Sequence, residues 1–105
     1  MRLSHIRRHV EKRINVIAAK MSENLGDAKT MMFRVCDGSA EKPVFAVLPA
    51  FHVTTQNGEL VSAPYGTVLS FEGVLVRYNA KHDAYNLLVS RNTVVTDVDE
   101  TERDV

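Results

Sequence analysis

The sequence predicts an all-β fold, a small closed barrel of five strands behind one short N-terminal helix. Three observations predict it. Residues 66–79 form a long β-rich run, and after a short polar loop residues 85–90 form a second, so the two read as strand, turn and strand. Gly73 interrupts the long run at its middle, where a side chain would crowd a coiled sheet or where a bulge is wanted. Upstream, shorter runs alternate in hydrophobicity and are bounded by turn residues. Long, coiled, glycine-interrupted strands that pair with a neighbour are what closure of a small barrel requires.

The bulk numbers fit one folded domain. A chain of 105 residues can bury a modest core without staples, and an apolar fraction of 45% argues against wholesale disorder. Formal net charge is zero, so no global field draws the chain to nucleic acid or to a membrane. The ends are polarised. Residues 1–20 hold six basic residues (Arg2, Arg7, Arg8, Lys12, Arg13 and Lys20) against Glu11, a net of +5. Residues 97–105 hold five acids (Asp97, Asp99, Glu100, Glu102 and Asp104) against Arg103, a net of −4. The single cysteine, Cys36, excludes an internal disulfide. No apolar run approaches the ~20 residues of a membrane span, and no apolar signal core follows the basic N-terminus. The expectation is a soluble, intracellular protein, nuclear in a eukaryote, with no membrane contact.

Taken in order, Leu3, Ile6 and Val10 recur at i, i+3 and i+7 among basic residues, which predicts an amphipathic helix with Ser4 as a candidate N-cap. That spacing can be continued through Ile14, Ile17 and Met21 into one helix ending at Gly26, but residues 14–19 equally suit a buried strand. The favoured division is helix over residues 1–12 and strand from Arg13, because the barrel otherwise lacks its first strand. Residues 22–27 are a polar, glycine-containing loop. Residues 29–36 alternate, with Met31, Phe33 and Val35 on one face and Thr30, Met32, Arg34 and Cys36 on the other. Asp37-Gly38 makes a turn. Pro43 precedes a strand over residues 44–48, stopped by Pro49. Residues 50–64 lose the pattern and are expected to hold at most one helical turn, plugging one end of the barrel. After the long hairpin, a β-branched run over residues 93–98 leads into an acidic tail at 99–105.

Five strands with one long connection before the fourth suggest a partly open Greek-key barrel, the OB fold. The element Met32-Phe33-Arg34-Val35-Cys36-Asp37-Gly38-Ser39, with Pro43-Val44-Phe45-Ala46-Val47, resembles the strand–Asp-Gly-Ser/Thr–strand element of replication protein A and telomere-end-binding domains. Residues 66–90 resemble the last two strands of the same family, and the resemblance spans residues 13–98. It implies a non-enzymatic domain that holds single-stranded nucleic acid, DNA ahead of RNA, in replication, repair or telomere maintenance, within a complex or a homo-oligomer.

The site residues follow from where OB domains grip a strand: across the second and third strands, between the first and last loops. Cations must meet phosphates, and flat side chains must carry bases. Lys29, Arg34, Arg77 and Lys81 supply the first requirement. Tyr78, Tyr85 and Phe45 supply the second, with His82 assisting. Against this, Tyr78 and Tyr85 sit where cross-strand aromatic pairs stabilise a hairpin. For Phe45 a core position is the favoured reading. A different class of function keeps the barrel as a structural subunit that docks a protein through the basic helix and an exposed sheet face; Leu3, Ile6 and Val10 pack on the barrel or, with Arg7, on that partner. Near-zero net charge favours that alternative, since tight nucleic-acid binders are usually basic. No metal or cofactor is expected. Cys36, His52 and His82 are scattered, and His5 and His9, four apart, have no further ligands beside them. The chain contains no nucleophile elbow, P-loop or dinucleotide fingerprint, so an enzyme is not expected.

Overall fold

The computed structural model describes residues 2–27, 29–40, 42–49 and 64–98. The expected helical turn and barrel plug at 50–64 fall almost wholly outside the described residues, and the acidic tail at 99–105 falls entirely outside them. A 3₁₀ helix at Leu3–His9 leads into β1 (Arg13–Lys20), β2 (Thr30–Cys36), β3 (Val44–Pro49), β4 (Val68–Asn79), β5 (Ala84–Leu88) and β6 (Val94–Asp97). The sheet order is β1-β2-β3-β5-β4, and β4 returns to pair with β1, closing the barrel. All contacts are antiparallel except β3 with β5. This is the OB-type five-stranded barrel that the strand count predicts.

Closure depends on two strands that each serve two neighbours. β1 pairs with β4 along Arg13 to Ala19, and its last residues pair with β2 through Ala19↔Cys36 and Lys20↔Val35. β4 is the long coiled strand. Its first half pairs with β1 and β6, and its second half pairs with β5. The bend falls at Gly73, as expected. The register with β1 steps from Ile14↔Val74 to Asn15↔Glu72, leaving Gly73 as the extra residue, at φ 79°. That left-handed conformation is costly for any residue with a Cβ. The bulged peptide would lose its ladder partners, and side chains replace them. Gly73 N–H donates to Asn15 Oδ1 at 3.0 Å, while its carbonyl accepts from Thr93 Oγ1 at 3.0 Å and from Arg13 Nη1 at 3.1 Å. Thr93 is 1% exposed, and this bond accounts for its burial.

Beyond the five strands that close the barrel, the expected barrel span of residues 13–98 holds β6. Both β5 and β6 lie along the same edge of β4, and residues 89–93 leave that edge opposite the Gly73 bulge. The β-branched run at the end of the chain is therefore the continuation of an interrupted fifth strand.

Period-two burial fills the interior. Ile14, Val16 and Ala18 of β1, Phe33 and Val35 of β2, and Val44, Ala46 and Leu48 of β3 point inward. Leu69, Phe71, Val74 and Val76 of β4 meet them with Leu87 of β5. Each of the Val, Leu, Ile and Phe side chains among them contributes about 1.5–3 kcal/mol on leaving water. Lys20 takes the last inward position of β1, with its ammonium 5.3 Å from the Phe33 ring centroid, and burial pushes its pKa down. Phe45 departs from the expected core position. The inward parity of β3 belongs to Val44 and Ala46, so Phe45 stands half-buried on the outer face.

The N-terminal segment is the expected short helix, of 3₁₀ type over Leu3–His9, so Leu3, Ile6 and His9 stack at three residues per turn. Leu3 and Ile6 are 1% and 4% exposed and join the barrel's own core, with Val10 packed against it. Of the two expected placements of Leu3, Ile6 and Val10, packing on the barrel holds, and only Arg7 of the partner-facing set is exposed. Ser4 does not cap the helix through its side chain. The cap residue is Arg2, and Asp37 and Ser39 satisfy the first N–H groups from outside: Leu3 N–H donates to Asp37 Oδ2 at 2.8 Å and Ser4 N–H to Ser39 Oγ at 3.0 Å. Beyond the helix, Glu11 at φ 64° turns the chain into β1.

Candidate nucleic-acid interface

Strand parity sorts the expected site residues onto two faces. The register pairs Arg34 of β2 with Phe45 of β3, Phe45 with Asn86 of β5, and Asn86 with Arg77 of β4. These four side chains form one row across the outside of the barrel, exposed at both ends and half-buried in the middle. At roughly 4.8 Å per strand, the row is about 14 Å long. The next outward row is apolar: Met32, Val47, Leu88 and Leu75, all half-buried. A cation at each end, an aromatic ring and an amide between them, and an apolar shelf alongside make a surface suited to a flexible polyanion with flat bases.

Arg77 is shared. Its Nε lies 3.3 Å from Glu11 Oε1 and its Nη2 lies 3.5 Å from Oε2, in a pair exposed on both sides. Such surface pairs are worth about 0–1 kcal/mol and are screened by salt, so a phosphate can displace Glu11. Among the described residues the Arg34 side chain makes no ion pair. Its backbone is fixed by Met21 N–H donating to Arg34 O at 2.8 Å and by Arg34 N–H donating to Ser22 Oγ at 2.8 Å.

The two loops at the ends of this face are built rather than loose. In the loop between β1 and β2, Asn24 Oδ1 accepts from Gly26 N–H at 2.9 Å and Met32 N–H at 3.1 Å. Asp27 Oδ1 accepts from Lys29 N–H at 2.8 Å and Thr30 N–H at 2.9 Å, and these bonds hold its carboxyl below the usual range. A Cβ on Gly26 would clash with the Thr30 carbonyl oxygen, so only glycine lets the loop fold back on β2. Lys29 is exposed at the end of this loop. At the other end of the strands, residues 80–83 join β4 to β5, with Lys81 and His82 exposed. The four cations therefore divide into Arg34 and Arg77 on the row, Lys29 beyond one end of the strands and Lys81 beyond the other.

The tyrosines belong elsewhere. Tyr78 and Tyr85 are direct cross-strand partners of inward parity, with ring centroids 5.1 Å apart and planes tilted by 51°. Tyr85 is 9% exposed, so its ring packs the hairpin at the helical end of the barrel. Tyr78 keeps 40% of its surface and donates from its hydroxyl to Asp83 Oδ1 at 2.6 Å. Lys42 Nζ meets the same oxygen at 2.8 Å, tying the 80–83 loop to the loop between β2 and β3. The hydrogen bonds to Lys42 and Tyr78 lower the Asp83 pKa, and those same bonds to Asp83 raise the pKa values of Lys42 and Tyr78. Asn86 and the Lys42–Asp83 contact are the elements that sequence reasoning missed. Asn86 was readable from the alternation Tyr85-Asn86-Leu87, whereas Lys42 and Asp83 are 41 residues apart and carry no local signal. Among the described residues no group of histidine, cysteine and acidic side chains is arranged to hold a metal.

Strand order, closure and the face between these loops define an OB-type barrel. Residues 4–98 match the family described as the domain of unknown function DUF8157, C-terminal domain, and the chain belongs to that family. No curated protein matches it in sequence. Among solved structures it is similar to the p204 HINb domain, with a TM-score of 0.72 at 9% identity over 93% of this chain and 46% of that one. It is also similar to a chain from a structure described as structural mimicry for functional antagonism, with a TM-score of 0.67 at 14% identity over 91% and 43%. A third likeness is to a Leishmania major Friedlin chain assigned as an aspartyl-tRNA synthetase, with a TM-score of 0.62 at 16% identity over 92% and 20%. The chain thus spans less than half the length of each of these structures. At such identities the likenesses speak to the fold.

Proposed function

We propose that this barrel holds single-stranded nucleic acid across its outer face and performs no covalent chemistry. The observation that carries the reading is the row Arg34–Phe45–Asn86–Arg77, which puts cations and an aromatic ring where OB domains take oligonucleotides. Phosphates meet Arg34 and Arg77, with Lys29 and Lys81 beyond the ends of the strands. A base stacks on Phe45, which needs no sequence preference because every base has a π-face. Asn86 offers a donor and an acceptor to a base edge or sugar. His82 flanks the path at the 80–83 loop, while Tyr78 and Tyr85 pack on each other at the helical end. The resemblance to replication protein A and telomere-end-binding domains favours single-stranded DNA over RNA as the strand, with replication, repair or telomere maintenance as the setting.

The test is fluorescence anisotropy of an internally labelled mixed-sequence single strand, at low and at physiological salt. Binding that weakens with salt and is weaker to duplex supports the reading. Absence of binding at low salt overturns it.

A second reading has its own observation. Ile17, Met21 and Leu25 are 55%, 48% and 49% exposed along β1 and the loop that follows it. With a net charge of zero, these suit a structural subunit that docks a protein. Its contact would be this apolar strip, because the helix's own apolar face is buried.

A further inference from the structure

The helical end of the barrel holds a pocket of about 220 Å³ that the proposed interface leaves unused. Leu3 and Ile6 of the 3₁₀ helix, Ala40 and Tyr85 give it apolar and aromatic walls, and Ser4, Arg7 and Lys42 supply its polar groups. The pocket has a structural cause. Asp37 and Ser39 bind the first N–H groups of the helix, which sets the helix beside the loop between β2 and β3. Lys42 is held in place by Asp83, and an ammonium has three donors, so this contact leaves others for a ligand. Arg7 is exposed, and among the described residues no carboxylate lines the pocket, the Asp83 carboxylate meeting Lys42 beside it.

Sign, shape and size together narrow the occupant. The surface facing the pocket is more polar than apolar, and its two cations fit an anion, with the Tyr85 ring as its aromatic contact. Pockets that enclose a whole drug-sized ligand run to roughly 300–1,000 Å³, so this one suits one end of a larger molecule. Tyr85 faces the opposite side of β5 from Asn86, but Lys42 is bonded to the 80–83 loop, so the pocket and the outer face share one end of the barrel. We infer that it takes a nucleoside phosphate monoester, the phosphorylated end of a strand lying on that face. The phosphate sits between Arg7 and Lys42, and the sugar or base lies against the edge of Tyr85 that lines the pocket. This rests on the single-strand reading above; a free mononucleotide carries the same group.

The experiment compares internally labelled strands of one sequence bearing a 5′-phosphate, a 3′-phosphate or hydroxyls at both ends, by anisotropy. One phosphorylated end is expected to bind about three- to tenfold more tightly than the hydroxyl strand. Arg7→Ala should abolish that gain and leave the hydroxyl strand's affinity unchanged, and Lys42→Ala serves as the second variant. Equal affinity for all three strands overturns the inference, as does an Arg7→Ala variant that weakens all three alike. Where no strand binds, the single-strand reading itself fails, and the pocket is judged with adenosine 5′-monophosphate by amide chemical shifts. Shifts at Arg7, Ala40 and Tyr85 sustain the site with a free mononucleotide as its ligand, and no shifts overturn it.

Discussion

The outer row and the helical end of the barrel are made of the same materials one residue apart. Phe45 and Arg77 face outward, while their neighbours Val44 and Tyr78 have inward parity on the same strands. Each region combines an aromatic side chain with cations. On the outer face the ring is half-open and the cations stand at the ends of a row. At the helical end one ring is buried, and its neighbour's hydroxyl is tied with Lys42 to one Asp83 oxygen. The comparison teaches that composition around a loop does not locate a binding surface. Strand parity does, because a shift of one residue moves a side chain through the sheet.

The comparison can be broken most forcefully at Tyr85. Tyr85→Ala should destabilise the fold by about 3 kcal/mol or more, as expected for a large buried aromatic, which lowers Tm by on the order of 12 °C or more. Phe45→Ala should cost far less, and thermal unfolding of both variants checks the contrast. A Tyr85 variant no less stable than the Phe45 variant would dissolve the distinction between the two regions.

Binding should reverse that order. Phe45→Ala should lose about 1–3 kcal/mol of single-strand affinity, the usual worth of one stacked base. Tyr85→Leu, folded, should bind nearly as the unaltered chain does. Arg34→Ala should weaken binding to all sequences and reduce the salt slope by about 1. Titrations at three salt concentrations measure this, and an unchanged slope removes Arg34 from the phosphate contacts.

The smallest effect concerns the tether of the helix. Burial raises the Asp37 pKa, but bonds from the Ser39 hydroxyl and from the Leu3 and Ser39 N–H groups outweigh it, so the net shift is downward. A lowered folded-state pKa contributes stability that is present above about pH 4, the ordinary carboxylate value, and is lost as pH falls through the folded value. Asp37 is exposed, so Asp37→Asn should cost about 1 kcal/mol or less at pH 7. The gap to the unaltered chain should narrow in acid unfolding below pH 4. A gap that is constant with pH would mean that the carboxylate's charge is not what anchors the helix.

Much of the barrel was legible in the chain itself. The alternation of Phe33 and Val35 with Arg34, the Asp37-Gly38 turn and the Gly73 bulge are local signals, and each does locally what its chemistry dictates. Other features depend on partners far away in sequence. Phe45 lies among Val44, Ala46, Val47 and Leu48, a run apolar on both faces, so its parity had no hydrophobic contrast to reveal it. Leu3 and Ile6 advertise an apolar stripe, but the stripe does not say whether this barrel or another protein covers it. β6 is visible as a strand only once the long edge of β4 is known to extend past β5. Lys42 and Asp83 meet only because two loops share one end of the barrel.

The most direct test of the central claim is amide chemical-shift mapping with a short single-stranded oligonucleotide. The parity argument predicts the largest shifts at Arg34, Phe45, Asn86 and Arg77, with lesser shifts over residues 21–29 and 80–83. Shifts confined to the exposed strip of Ile17, Met21 and Leu25, or no shifts at saturating strand, would contradict it.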